Sequence, residues 1–434
     1  MISRSIDRLV AVLERLAQRW QLVLLNVALL FTFSFARPAS SSVDARINRK
    51  VAHQRFDFVG WTVESIWQKL THALIAPQRY MTEADRSQFV LDYLALLAET
   101  HRVEHQIHRI YVDPNIEDPE LATVELRARE RELRREIDRR QPIAEAILEE
   151  QVARVLKEEG FGILGQEIPP VKISFTPLPR MLVVSPRDRI ESIYQIGLTH
   201  GLGVPEQETL EEMIDNSLGV SSLITNIGGL ASYPSMLLET TSINWITDVT
   251  AHEWTHQYLL PRPLGLQYFA SEECRAINET VATIVGQEVG RRVVARYYPD
   301  HLPPEPEPQP DPEPPEAAPE EPPAEPRPFD FRMEMRETRI RVDELLDAGR
   351  IEEAEAYMES RRQMFVEQGY AIRKLNQAYF AFHGAYAAHP GAAGDDPIGP
   401  AVLEFFAGSP DLRTFVNQIA GVTTLAELEL LLSQ

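Results

Sequence analysis

Thr250-Ala251-His252-Glu253-Trp254-Thr255-His256 is the stretch on which the reading of this chain turns. Two histidines four residues apart lie one turn above each other on a helix, so both imidazoles face one point in space. There they can hold Zn²⁺ at about 2.0–2.1 Å, with Glu253 alongside to take a proton from metal-bound water. The flanks agree with a helix, because Asn244 to Leu260 contains neither Pro nor Gly and Pro261 ends the run. The competing reading is a buried helix that carries two structural histidines.

A catalytic zinc needs a third protein ligand and an open position. Glu279 is the best placed, in Ala276-Ile277-Asn278-Glu279-Thr280-Val281-Ala282. The 22 residues between His256 and Glu279 suffice for a loop and a return into a second helix, and Asn278 to Glu288 has helical composition. Glu272 and Glu273 nearby and Glu239 upstream are competing carboxylates. Cys274, the single cysteine, excludes an intrachain disulfide framework and a Cys-rich zinc site, and reads as structural.

His252, Glu253 and His256 followed by Asn278, Glu279 and Ala282 resemble the gluzincin metallopeptidases, whose motifs are HExxH and Asn-Glu-x-x-Ala. Ala276 to Glu279 is also similar to the third-ligand helix of thermolysin-like enzymes. The resemblance spans about 60 residues around 228–290. It implies zinc on His252, His256 and Glu279, with Glu253 as general base. One position departs from the thermolysin pattern. Where those enzymes place an Asp four residues after the ligand Glu to orient a ligand histidine, this chain has Thr283. The partner of that histidine must come from elsewhere or from a weaker hydroxyl, and the motif sits closer to the aminopeptidase-type branch.

In such folds an edge strand ahead of the zinc helix pairs with substrate backbone. Gly228, Gly229 and Leu230 suit that role, because glycine permits close backbone approach; an ordinary hairpin is the alternative. The oxyanion also needs a donor. Tyr379, His383 and Tyr386 stand at helical spacing in 375–386, with Tyr386 slightly ahead, although such stripes are usually core. His101, His105 and His108 also share one helical face, but they lie in a charged helix without a separate carboxylate motif and read as solvated.

Working outward, 58 to about 160 reads as helical, and 117–159 as a charged, solvated, salt-bridged arm with Pro142 as a kink or break. VKISF (171–175) and MLVVS (181–185) are β-branched runs expected to form a strand pair. SSLITN (221–226) and GGLASYPSML (228–237) extend around a Gly-Gly turn. Leu302 to Pro328 holds 13 prolines and eight acidic residues, too biased to bury a core. Segments 330–388 and 398–434 read as helical.

Trp20 to Ala36 is 17 consecutive uncharged residues behind a net basic start. That length is within reach of a spanning helix, with a cleaved secretory segment or a buried helix as alternatives. Arg37, Arg46, Arg49 and Lys50 on the far side blunt the orientation signal. The expected placement is an N-terminal anchor with the catalytic part outside the cytoplasm, or a cleaved and secreted form.

The chain has 434 residues, is 44% hydrophobic and carries a formal charge of −22. Its size allows two or three units, and its acidity argues against general nucleic-acid binding. The expected fold is α+β and mostly helical, with a thermolysin-like core of a small β subdomain plus a helical subdomain. The expected divisions are a 1–40 anchor, a 41–165 helical region, 166–300 with the β subdomain and zinc helices, a 301–328 insertion, and a 329–434 helical subdomain. The expected activity is zinc-dependent hydrolysis of a peptide or protein substrate. The alternative is a membrane-anchored, inactive scaffold that retains a peptidase-like fold.

Overall fold

The structure is a computed structural model that describes residues 42–163, 166–303, 329–389 and 391–433. The expected anchor at Trp20–Ala36 and the Pro/Glu tract from 304 onward lie outside the described residues. Among the described residues, no helix is long and apolar enough to cross a membrane.

The N-terminal part is helical: α1 (Ser42–Lys50), α2 (Phe58–Ile75), α3 (Glu83–Val112), α4 (Pro119–Ala122) and α5 (Val124–Leu156). Thr82 caps α3 reciprocally with Asp85, which satisfies two otherwise orphaned amides. Strands then alternate with helices: β1 (Gly162–Ile163), β2 (Gln166–Glu167), β3 (Ile173–Phe175), β4 (Arg180–Pro186), β5 (Tyr194–Leu198), α6 (Val204–Leu218), β6 (Val220–Thr225), β7 (Gly229–Leu230) and β8 (Ser235–Leu237). The rest is helical again: α7 (Ile243–Leu259), α8 (Pro263–Leu266), α9 (Glu272–Tyr297), α10 (Phe331–Asp347), α11 (Ile351–Glu367), α12 (Gln377–His383), α13 (Ile398–Gly408), α14 (Leu412–Ile419) and α15 (Leu425–Leu432). The chain is therefore α+β and mostly helical, as the sequence reading has it.

The two β-branched runs both form strands, but they do not pair with each other. β3 runs parallel to β8, and β7 closes that sheet antiparallel to β8, giving the order β3-β8-β7. β4 instead lies between β5 and β6 in an antiparallel sheet. Pro177 and Pro179 account for the split. Proline supplies no ladder donor, and the chain crosses from one sheet to the other over this stretch.

The charged arm also departs from expectation. Pro142 sits inside α5 without breaking it, and the second half of α5 is interior rather than solvated. Ile147, Leu148, Val152 and Leu156 are fully buried in the main core. Glu145 and Glu149 are buried with them and grip the free edge of β3, accepting from the amides of Phe175 (2.8 Å) and Ile173 (3.1 Å). The spacing explains the match, since four helical residues rise about 6 Å and two strand residues about 6.6 Å. Lys69 reaches both carboxylates, at 2.5 and 2.8 Å, and Lys172 pairs with Glu149. Burial alone would raise the Glu149 carboxyl, but the two lysines hold it below its ordinary value. The outer half of α5 keeps its surface ion pairs, such as Arg129 with Glu99.

The main core is organised by α7 and α9, which carry Ile246, Ala251, Trp254, Ile277, Val281, Val285 and Val289. Their backbones cross closely because α9 presents glycine at the crossing. A Cβ on Gly286 would stand 2.8 Å from the Asp248 carbonyl oxygen, and one on Gly290 would stand 2.8 Å from the Asp248 nitrogen. A separate cluster of Leu182, Val184, Leu198, Leu210 and Ile214 lies between the β4 sheet and α6. The α10–α11 hairpin joins β4 through Arg187, which is bidentate to Glu355 at 2.8 and 2.6 Å.

Two stability outcomes follow. Gly290→Ala should destabilise the fold, because over-packing against backbone costs about 1–3 kcal/mol and the roughly 1 kcal/mol of helix propensity gained offsets only part of it; denaturant titration reads the difference. Glu149→Gln should cost about 1–3 kcal/mol, because it weakens charged hydrogen bonds to two half-buried lysines, one of which keeps Glu145. Because the native carboxyl titrates below its unfolded value, its contribution is full above the unfolded value and fades as pH falls below it. Acid titration of the variant should show a correspondingly shallower loss of stability.

Candidate metal centre

The helix expected around His252 is α7, whose Ser242 accepts from the Trp245 amide as N-cap. His252 and His256 lie one turn apart with their rings edge-on, their Nε2 atoms 3.1 Å from each other. Glu279 enters from the second turn of α9, and its Oε2 lies 3.4 Å from His252 Nε2 and 3.5 Å from His256 Nε2. That oxygen is buried and has no hydrogen-bond partner. Four ligands at about 2.0–2.1 Å around a tetrahedral ion stand roughly 3.3–3.4 Å apart, so the three atoms have the spacing of one face of such a site. Among the described residues, this is the group of His, Cys, Asp and Glu side chains that could hold a metal ion.

The electrostatics point the same way. Burial raises the Glu253 carboxyl, with the two imidazoles opposing. Burial would raise Glu279 too, but the charge on His256 and the nearness of both imidazoles hold it well below the usual range. Burial would lower His256, yet Glu279 outweighs it and pushes the imidazole up to about 9. Two buried carboxylates thus draw positive charge onto His256, a demand that a divalent cation would meet.

The orientation of His256 comes from Asn278, the residue before the ligand glutamate. His256 Nδ1 stands 2.7 Å from Asn278 Oδ1, while Asn278 Nδ2 donates to the Leu264 carbonyl at 3.0 Å. With its amide nitrogen committed to Leu264, Asn278 offers oxygen to the ring, so Nδ1 carries a proton and, in the neutral ring that a metal binds, Nε2 keeps its lone pair. Thr283, where the thermolysin-like motif has an aspartate, makes no side-chain hydrogen bond among the described residues. Leu264 is itself pinned, its amide donating to the Ala420 carbonyl at 3.1 Å.

The other glutamates are engaged elsewhere. Glu272 accepts from the Ser192 amide and pairs with Arg275, at 2.7 and 2.5 Å. Glu273 accepts from Leu425 at 3.1 Å, and Glu239 pairs with Arg134 at 2.8 Å. Cys274 is buried, its thiol directed to the Leu264 carbonyl. His101, His105 and His108 are exposed on α3, as expected of a solvated face.

Tyr386 is brought to the site, but not by helical spacing. α12 ends at His383, and a turn through Gly384 carries Tyr386 round until its ring stacks on His252 at 6.4 Å. The residue is 42% exposed overall, but desolvation on the side facing the site, with Glu279 and Glu253 nearby, raises its hydroxyl above the ordinary tyrosine value. Arg275, one turn before Glu279, donates to the Ala381 carbonyl and ties this turn to α9. Tyr379 and His383 instead pack on one another at 4.3 Å. Burial pushes His383 down to about 4, and no ring contact or hydrogen bond joins either to the histidine pair.

Gly229 and Leu230 form β7, and Gly228 stands just ahead of it. β7 is the outer strand of its sheet. A Cβ on Gly229 would fall 2.2 Å from Glu253 Oε1 and 2.8 Å from Val249 Cγ1, so a side chain there would push the Glu253 carboxylate aside. Gln257 fixes the arrangement, donating to the Ser232 carbonyl at 2.6 Å and to Ser235 Oγ at 2.8 Å. Sequence reasoning missed Tyr268, whose hydroxyl donates to Glu279 Oε1 and whose ring lies 5.9 Å from His256. It sits in the loop between the two helices, where no periodicity marks it.

No known family, curated protein or solved structure matches this chain.

Asn278→Ala should leave the fold cooperative and lower affinity for Zn²⁺ about 10–100-fold, as loss of a ligand-orienting partner does. Competition against a chromophoric chelator measures it.

Proposed function

We propose that this chain is a zinc-dependent metallopeptidase of gluzincin type, held to a membrane by Trp20–Ala36 with its catalytic part outside the cytoplasm. The observation that carries the reading is the convergence of His252 Nε2, His256 Nε2 and the unpartnered Glu279 Oε2 on one point. The resemblance of HExxH and Asn-Glu-x-x-Ala to that family supports it, as does the α+β frame, although a thermolysin-like core is part of the proposal.

Bound zinc would supply Lewis acidity and lower the pKa of water to about 7. Glu253, buried and raised above its ordinary value, is suited to take a proton and return it to a leaving amine. Tyr386 stands over His252 and carries a hydroxyl that stays protonated; it would donate to a developing oxyanion. β7 offers backbone on its outer edge beside Glu253, where an extended peptide can add as a further strand. Tyr268 holds the second oxygen of Glu279 and leaves the first free.

Metal analysis by mass spectrometry should find about one zinc per wild-type chain and none in Glu279→Ala. Glu253→Gln should retain zinc and lose turnover on a peptide library by several orders of magnitude. Zinc without turnover in the wild type would favour the inactive-scaffold reading, and wild type without zinc would end the metallopeptidase reading.

A further inference from the structure

α2 leaves an apolar ridge uncovered. Val59, Val63 and Trp67 recur once per turn and are 57%, 59% and 68% exposed, forming a stripe about 12 Å long. The helix cannot roll to hide them, because its other side is fastened. Thr62 and Ser65 are buried, Trp61 Nε1 donates to Thr176 Oγ1 at 3.3 Å, and Lys69 holds Glu145 and Glu149. Exposed tryptophan beside aliphatic residues on a helix is the composition of an interfacial element.

The segment leading into α2 is basic. Arg46, Arg49, Lys50 and Arg55 fall between Asp44 and Asp57 with no acidic residue among them, in a chain of net charge −22. Arg46, Arg49 and Arg55 are exposed. Arg46 donates to the Ser217 carbonyl at 2.7 Å, and none of the four forms an ion pair among the described residues. The uncharged run Trp20–Ala36 ends shortly before Ser42, where the described chain begins. A mostly acidic surface would be repelled by anionic lipid, whereas this one stretch would be attracted.

We propose that α1 and α2 form a lipid-docking face, with Val59, Val63 and Trp67 in the headgroup layer of an anionic bilayer and Arg46, Arg49, Lys50 and Arg55 on its phosphates. This rests on the reading of Trp20–Ala36 as an anchor, and it adds that the folded part lies against the membrane in one orientation rather than swinging free.

The test uses the full chain in a Cys274→Ser background, with Trp67→Cys carrying an environment-sensitive fluorophore and Glu367→Cys as an exposed control. The chain is added to vesicles containing phosphatidylglycerol and to vesicles of phosphatidylcholine alone. The expected result is that the chain floats with both, and that the label at 67 shifts to the blue and is quenched by lipid-borne quenchers only with phosphatidylglycerol. The control label stays aqueous, and Arg49→Glu with Arg55→Glu removes the shift at 67. Hydrogen exchange on the unlabelled wild type should show matching protection over 58–75. A chain that floats while the label at 67 stays aqueous and 58–75 gains no protection overturns the docking face and leaves the anchor standing. A label at 67 that is already blue without vesicles also overturns it, since protein then covers the ridge. A chain that does not float overturns both readings.

Discussion

The close crossing of α7 and α9 is the constraint on which the candidate centre depends. The two imidazoles belong to one helix and the third carboxylate to the other, so the 3.4 and 3.5 Å separations between them are set by how near the two backbones come. Gly286 and Gly290 permit that approach, because side chains there would meet the backbone of Asp248. Both helices are buried over most of their length, with polar residues among the buried set. The packing around the crossing fixes the separation of the ligand atoms.

Two pairs of buried glutamates have opposite outcomes. Glu145 and Glu149 are closed by Lys69, Lys172 and the amides of β3, so nothing further is needed there. Glu253 and Glu279 have imidazoles and a tyrosine around them but no lysine or arginine in an ion pair among the described residues. Uncompensated buried charge is costly, which is why His256 is drawn up to about 9. The first pair is architecture that fixes a sheet edge, while the second remains open to a cation. The same residue type serves both, and only the surroundings separate them.

Several elements reach the centre indirectly. The C-terminal helices hold Leu264, Leu264 holds Asn278, and Asn278 sets the proton on His256. Arg275 fastens the turn that presents Tyr386, and Gln257 fastens the hairpin that lays Gly229 against Glu253. Each link is a hydrogen bond between segments remote in the chain, so none has a local signature. That is why Thr283 appeared as a gap in the motif and Asn278 went unread as its replacement, and why Tyr268 passed unnoticed.

By itself the sequence determined the elements whose information is local. HExxH within an unbroken helical run places both imidazoles on one face, and the composition after Asn278 makes a second helix that brings Glu279 back. The helical N-terminal region, the glycine-rich strand and the short helices of the tail follow from the same periodicities and breakers. Partnership was decided only by the tertiary structure. Whether VKISF pairs with MLVVS or with 235–237, whether α5 is an arm or a wall of the core, and whether Tyr386 or its helical neighbours reach His252 all depend on which surfaces are left to bury once everything else is packed. Periodicity records which face of an element is apolar, but not what that face will meet.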